Sequence, residues 1–416
     1  MSGTAAKRQE PAYDVEAIRA DFPILSRQVH GKPLVYLDNG ASAQKPQVVI
    51  DTVARAYAEE YANVHRGLHY LSNLATDRFE AARETVRRFL GAGSTEEIVF
   101  TRNATEAINL VAASFGREFI GEGDEIVVSL LEHHSNIVPW HFHRERNGAV
   151  LKWIPVDDSG QLILEEYEKL LTPRTKIVAV THMSNALGTI TPVREIVRIA
   201  HERGIPVLVD GSQAAVHLPV DVRELDADFY VFTGHKTYGP SGIGVLYGKS
   251  EWLEKLPPYM GGGEMVGDVS TERITYADPP HRFEAGTPPI VQAIGLAAAL
   301  DYMEGIGREA IAAHEADLLE YATARLSAVE GLRIIGTARD KGAIVSFEMQ
   351  GVHSHDLSTV IDRSGVAVRA GTHCAQPILQ RFGVMSTCRA SFAMYNTRAE
   401  ADALAEALEK AKTFFM

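Results

Sequence analysis

The run Asp228-Phe229-Tyr230-Val231-Phe232-Thr233-Gly234-His235-Lys236 decides the reading of this chain. It is an apolar strand that ends in small and polar residues and then in a lysine. A second run, Ile205-Pro206-Val207-Leu208-Val209-Asp210, ends on an acid and continues Gly211-Ser212-Gln213. Similar strands are predicted at Glu97–Thr101, Glu125–Ser129, Val150–Pro155, Lys176–Thr181 and Gly244–Tyr247, with helical patterns such as Ala104–Phe115 and Val193–Arg203 between them. Val- and Ile-rich runs that alternate with helices predict an α/β fold with a mostly parallel sheet covered on both faces. Ligands of such sheets bind at the carboxyl ends of the strands. Asp210 and Lys236 both fall there.

Outside this block the pattern changes. The start, Met1 to Pro11, is small, polar and charged, and reads as disordered with no apolar core of a signal peptide. A short helix over Asp14–Phe22 leads to a strand at Pro33–Leu37. The stretch Pro257–Pro289 is loop-rich; its Gly261-Gly262-Gly263 lacks the Walker lysine spacing and reads as a mobile loop or hairpin. One long helical pattern runs from Ile290 to about Val329, and a smaller α+β region ends in a helix over Arg398–Phe414. With 416 residues the chain exceeds a single core. The expected division is an N-terminal segment 1–30 packing with the small domain, a large domain 31–290, and a small C-terminal domain 291–416.

Composition narrows the class of function. Hydrophobic residues make up 45% and charged residues 23%, as in ordinary globular proteins. A net charge of -13 argues against nucleic-acid binding. No stretch reaches the apolar length of a membrane span. The only cysteines, Cys374 and Cys388, exclude a disulfide framework and suit a reducing, cytoplasmic setting.

A lysine, an acid and hydroxyl donors at neighbouring strand ends suit an aldehyde cofactor with a basic ring nitrogen and a phosphate. Pyridoxal 5'-phosphate fits: the lysine amine takes the aldehyde and a carboxylate partners the ring nitrogen. Asp210 would keep that nitrogen protonated, and Gln213 would donate to the phenolic oxygen; an Asp-Gly turn is the plain alternative. Arg102-Asn103-Ala104-Thr105-Glu106 follows a strand and opens a helix, so its N–H groups and the Thr105 hydroxyl can cradle a phosphate, whether or not Asn103 or Thr105 also caps the helix. Thr233 and His235 are further donors. Glu132-His133-His134, with His141 and His143, invites a metal reading, but the spacing matches no zinc pattern and no metal is expected. His133 stacked on a flat ring fits better. Cys374, flanked by Arg369 and His373 in the loop Val368–Pro377, is expected to be exposed among cations that favour the thiolate. Cys388 is expected to pack. Arg389 is a candidate clamp for a carboxylate.

Together these segments resemble the fold-type I pyridoxal-phosphate enzymes of the class V aminotransferase superfamily, and more narrowly the group II cysteine desulfurases, the SufS and selenocysteine-lyase-like branch. The resemblance runs from Tyr36-Leu37-Asp38-Asn39 to Met394-Tyr395-Asn396-Thr397. It includes Asn63-Val64-His65-Arg66-Gly67, the Glu132–Trp140 stretch, Asp210–Gln213, Thr233–Lys236, Arg282–Pro288 and the Cys374 loop. It implies that Lys236 carries the cofactor, His133 stacks on its ring, and Ala104, Thr105, Thr233 and His235 hold the phosphate, with Thr287 reaching in from the other subunit of a homodimer. Asn185, Arg389 and His65 would bind substrate. Cys374 would take sulfur from L-cysteine as a persulfide, leaving alanine, and pass it to a SufE-like or SufU-like acceptor for an iron–sulfur assembly scaffold. Selenocysteine is a further implied substrate. Two departures stand out: Gly40-Ala41-Ser42 where Ala-Ala-Thr is usual, and Thr372 where many relatives have His. Rival readings are another reaction on the same cofactor, or a non-catalytic scaffold; retention of Lys236, Asp210 and His133 speaks against the second.

Overall fold

A computed structural model describes residues 13–415. The polar opening expected to be disordered lies outside the described residues. The central sheet has seven strands: β1 (Ile98–Thr101), β2 (Glu125–Ser129), β3 (Val150–Ile154), β4 (Thr175–Thr181), β5 (Val207–Asp210), β6 (Phe229–Thr233) and β7 (Gly244–Gly248). Their order is β1-β7-β6-β5-β4-β2-β3. All run the same way except β7, which is antiparallel to both neighbours. The Gly234–Ile243 connection explains the reversal, because it is too short for a parallel crossover.

Alternation along the strands fills both faces. Val127, Val178, Val180, Val207, Val209, Tyr230 and Phe232 join one hydrophobic cluster. Their sequence neighbours Ile126, Val128, Ile177, Ala179, Leu208, Phe229 and Val231 join another on the opposite face.

A second, antiparallel sheet contains β8 (Leu332–Ile335), β9 (Ile344–Met349), β10 (Arg369–Gly371) and β11 (Thr387–Ser391), in the order β8-β9-β11-β10. It shares a separate apolar cluster with helices Arg308–Ser327, Ser354–Asp362 and Arg398–Phe415. The strand Val35–Tyr36 pairs in parallel with Val366–Ala367 beside it. Near the start of the described chain, Tyr13 donates to the Met394 carbonyl at 2.6 Å and Arg19 to the Tyr395 carbonyl at 2.6 Å.

Three sequence expectations change in detail. The single helix from Ile290 is two, Ile290–Ile306 and Arg308–Ser327, interrupted by Gly307 at φ 100°, a conformation glycine adopts without steric cost. The strand expected at Pro33–Leu37 is split, with Lys32–Pro33 pairing back on Gln28–Val29 before Val35–Tyr36 leaves for its own partner. The glycine run 261–263 leads into a hairpin of Val266–Val269 and Ile274–Tyr276.

Candidate active site

Strands β4, β5 and β6 end side by side, with Thr181 opposite Asp210 and Asp210 opposite Val231. Above these ends opens a cleft of about 440 Å³, into which both sheets contribute. Lys236 lies just past β6 in its wall. Burial pushes the Lys236 ammonium down to about 8, Asp210 opposing and Arg389 reinforcing the shift. An amine with that balance is a nucleophile near neutral pH.

Asp210 is fixed by its own turn. Its Oδ1 accepts from the Ser212 N–H at 3.0 Å and the Ser212 hydroxyl at 2.6 Å. Gly211 is required by close approach: a Cβ there would sit 2.1 Å from the Tyr230 ring. Gln213 turns one Nε2 hydrogen to the Gly40 carbonyl at 2.8 Å, so only its second N–H is left to donate.

The third wall is the turn after β2. Buried Glu132 ties it down, accepting from the Thr181 N–H at 2.9 Å, the Asn136 amide at 2.7 Å and the Ser129 hydroxyl. Next to it, His133 Nδ1 accepts from the Ser135 N–H at 3.1 Å, which leaves Nε2 to carry the ring proton. Burial, with the Lys236 charge, pushes His133 down to about 4, so the ring is neutral. Helix Ala104–Phe119 begins at the same cleft, where Asn103 caps it by accepting from the Glu106 N–H at 2.9 Å. That cap leaves Ala104 and Thr105 facing the cleft. The Thr105 hydroxyl lies 2.7 Å from that of Ser135. His235 is neutral as well, burial lowering it to about 4.

Cys374 reaches this cleft from the loop after β10. Its carbonyl accepts from the His134 N–H at 2.7 Å, and Asn185 Nδ2 donates to the His373 carbonyl at 2.6 Å. His373 and Cys374 both hold positive φ, 52° and 54°, a strained left-handed pair for residues other than glycine. His373 is not the flanking cation expected from sequence: burial and Arg389 push it down to about 3, and its Nε2 meets the Thr387 hydroxyl at 2.8 Å. Arg389 takes its place, beside the expected Arg369. Arg369 holds Asp38 at 2.6 Å, and Arg389 donates to the Asn185 carbonyl at 2.8 Å with its Nη2 3.5 Å from Asp38. Cys388 is buried on β11, its thiol pushed up to about 12 and donating to the Ser354 carbonyl at 3.2 Å.

Two expected site residues lie elsewhere in this chain. His65 is engaged with Glu80 at 2.9 Å and packs edge-on to Phe79 and His281, so it does not line the cleft. Thr287 lines a neighbouring recess with Asn103 and His235. Asn185 does line the cleft, with one Nδ2 hydrogen given to the cysteine loop and the second left to donate. Of the other histidines, His141 lies 3.3 Å from Glu145 and His143 2.8 Å from the Ala112 carbonyl.

The cleft has the polar groups that pyridoxal phosphate needs. Thr233 Oγ1 and Arg389 Nε are buried without a protein partner, and buried polar atoms call for one. A helix start, hydroxyls, an amine, a carboxylate and a flat neutral ring converge on one volume. These residues fit the cofactor.

Residues 35–404 match the aminotransferase class-V family. The chain belongs to that family. It is 54% identical to a cysteine desulfurase of Synechococcus elongatus over 96% of this chain and 64% of that protein, so it spans less than two thirds of that relative's length. It is 52% identical to a probable cysteine desulfurase of Halalkalibacterium halodurans, covering 96% of this chain and 98% of the relative. Among solved structures, the cysteine desulfurase CsdA (S-sulfonic acid) from Escherichia coli superposes with a TM-score of 0.91 at 40% identity, covering 97% of this chain and 100% of that one. Within this class-V chain, Lys236 and Cys374 share one cleft. Sequence reasoning did not single out Ser135, Ser212 or Asp38. All three stood inside quoted motifs: Ser135 and Ser212 showed only a hydroxyl two residues from one already chosen, and Asp38 nothing that points to the two arginines the fold brings to it.

Proposed function

We propose that this chain is a pyridoxal-phosphate-dependent cysteine desulfurase, converting L-cysteine to L-alanine and placing the sulfur on Cys374 as a persulfide. The observation that carries this reading is the meeting of Lys236, Asp210 and Cys374 in one cleft, although they come from two different sheets. Lys236 holds the aldehyde carbon of the cofactor, Asp210 its ring nitrogen, Gln213 its phenolic oxygen and His133 its ring face. Ala104, Thr105, Thr233 and His235 hold the phosphate, and Thr287 does so from the second subunit of a homodimer. When bound, the cofactor supplies a ring that takes up the electron pair released at the substrate Cα.

The chain's own residues do the rest. Arg389, with an unpartnered Nε, and Asn185 orient the substrate carboxylate. The Lys236 amine, whose charged form burial disfavours, accepts the Cα proton and later returns one. The Cys374 thiolate attacks the substrate sulfur: an S–S bond forms, the Cβ–S bond breaks, and its electron pair stays with the carbon skeleton that leaves as alanine. Neutral His133 can hold or pass a proton from Nε2 to the leaving side. A cofactor-binding body and a smaller C-terminal domain carrying Cys374 divide these tasks. The persulfide passes to a SufE-like or SufU-like acceptor and on to an iron–sulfur assembly scaffold, in the cytoplasm. Among the described residues no helix is long and apolar enough to cross a membrane.

The test compares alanine and persulfide formation from L-cysteine by the unsubstituted protein, Lys236→Ala and Cys374→Ser. Both products should vanish in the first variant, and the persulfide in the second. Unchanged alanine output in both variants would refute the assignment.

A further inference from the structure

Ser212 has no part in the chemistry above, yet it is bound to the residue on which that chemistry leans. It is buried, one residue beyond the Gly211 turn. Its backbone N–H alone would complete an Asx turn on Asp210. Its hydroxyl adds a second and shorter bond, 2.6 against 3.0 Å, to the same atom, Asp210 Oδ1. Among the described residues Asp210 Oδ2 has no protein hydrogen bond, and Asp210 lines the cleft. One carboxylate oxygen is thus doubly tied and the other is left for a ligand.

The backbone around the turn cannot relax to undo this. The Asp210 carbonyl accepts from the His182 N–H at 2.9 Å and the Gly211 N–H donates to the Val231 carbonyl at 2.8 Å. Tyr230 closes the space beneath Gly211. Position 212 is therefore held where a side-chain hydroxyl meets Oδ1, and where alanine would leave only the backbone bond.

We propose that Ser212 is a positioning residue that fixes the Asp210 carboxylate with Oδ2 free for the ring nitrogen of pyridoxal phosphate, and keeps the proton they share on that nitrogen. This inference rests on the functional reading above. An O–H donated to one carboxylate oxygen draws charge from the group and weakens the pull of the other oxygen on a shared proton. Without the hydroxyl, the carboxylate competes harder for that proton and the ring becomes a poorer electron acceptor.

The experiment loads the full-length protein with cofactor labelled by 15N at the ring and reads the nitrogen chemical shift at one neutral pH. The unsubstituted protein should show the protonated ring. Ser212→Ala should move the signal toward the unprotonated value, and Ser212→Thr, which keeps a hydroxyl, should move it back. The kcat for alanine formation should fall about tenfold in Ser212→Ala with KM unchanged, as expected for a hydrogen bond to a charged group, and recover in Ser212→Thr. If Ser212→Ala takes up no cofactor, Ser212→Cys, a weaker donor, should show an intermediate shift. A loaded Ser212→Ala (or, in its place, Ser212→Cys) with the unsubstituted signal, or a displaced signal that Ser212→Thr fails to restore, overturns the inference alone. An unsubstituted protein that binds no cofactor overturns the functional reading and the inference with it.

Discussion

The depressed ionisation of Lys236 makes a quantitative prediction about the cofactor-free protein. Burial brings the amine from 10.5 to about 8. At pH 7 about one molecule in ten then carries the neutral, reactive amine, against about one in three thousand at the ordinary value. Cofactor-free protein should therefore react with pyridoxal phosphate some two orders of magnitude faster at neutral pH than a free lysine side chain does, on amine fraction alone. The rate should rise with pH and level off above about 8. The assay is stopped-flow absorbance over pH 6 to 11, with an N-acetylated lysine as reference. Asp210 raises the Lys236 value, so Asp210→Asn should move the midpoint lower still. The same shift sets the sign of a stability effect. Between 8 and 10.5 the unfolded lysine holds a proton that the folded one has lost, so stability of the cofactor-free protein rises with pH across that window. Below it both states are protonated, and burying the charge costs at most about 3 kcal/mol, a cost Lys236→Met removes. A midpoint near 10.5 would show that the cleft does not perturb the amine and would refute the reasoning.

Two further substitutions test the packing around the cleft. Gly211→Ala places a Cβ 2.1 Å from the Tyr230 ring, so the turn carrying Asp210 must move; the purified variant is expected to lack the visible absorbance of bound cofactor, and normal loading would contradict the geometry. Glu284→Gln breaks a buried pair in which Arg83 donates at 2.6 and 3.0 Å and the Phe100 N–H at 2.6 Å; thermal or denaturant unfolding should reveal a loss of about 3 to 5 kcal/mol, and an unaltered transition would show that the other Arg83 partners, Glu80 at 2.8 Å and the Ile98 carbonyl at 2.9 Å, suffice.

The parts legible in the sequence are those set by short-range rules. Continuous Val- and Ile-rich runs place β2, β4 and β6 to within a residue and β5 to within two, because strands buried on both faces read as unbroken apolar stretches. Lys236 and Asp210 followed from their places at strand ends, and Cys374 from its glycine- and proline-bounded loop. The break at Gly307 was hidden because the apolar pattern continues through it and only the backbone angle reveals the turn. His373 is neutral rather than the expected cation because burial and Arg389 on β11 decide its charge, both products of long-range pairing. The motif around His65 gives no sign of Glu80, which the fold brings to it from fifteen residues on. Contacts of high sequence separation, such as Asp38 to Arg369 and Arg389, leave no trace in a local pattern.

The cysteine loop has a mechanical consequence. Lys236 hangs from a strand clamped on both sides, whereas Cys374 is tethered to the opposite body by the His134 N–H and by the Asn185 amide on its neighbour. Releasing those two bonds, with the long Gln376 N–H contact to His134 Nε2 at 3.5 Å, would let the sulfur swing outward on a backbone already wound against its preference, with Lys236 left in register. On the proposed reading, a sulfur carried on Cys374 would leave the cleft without dismantling the strand ends that loaded it.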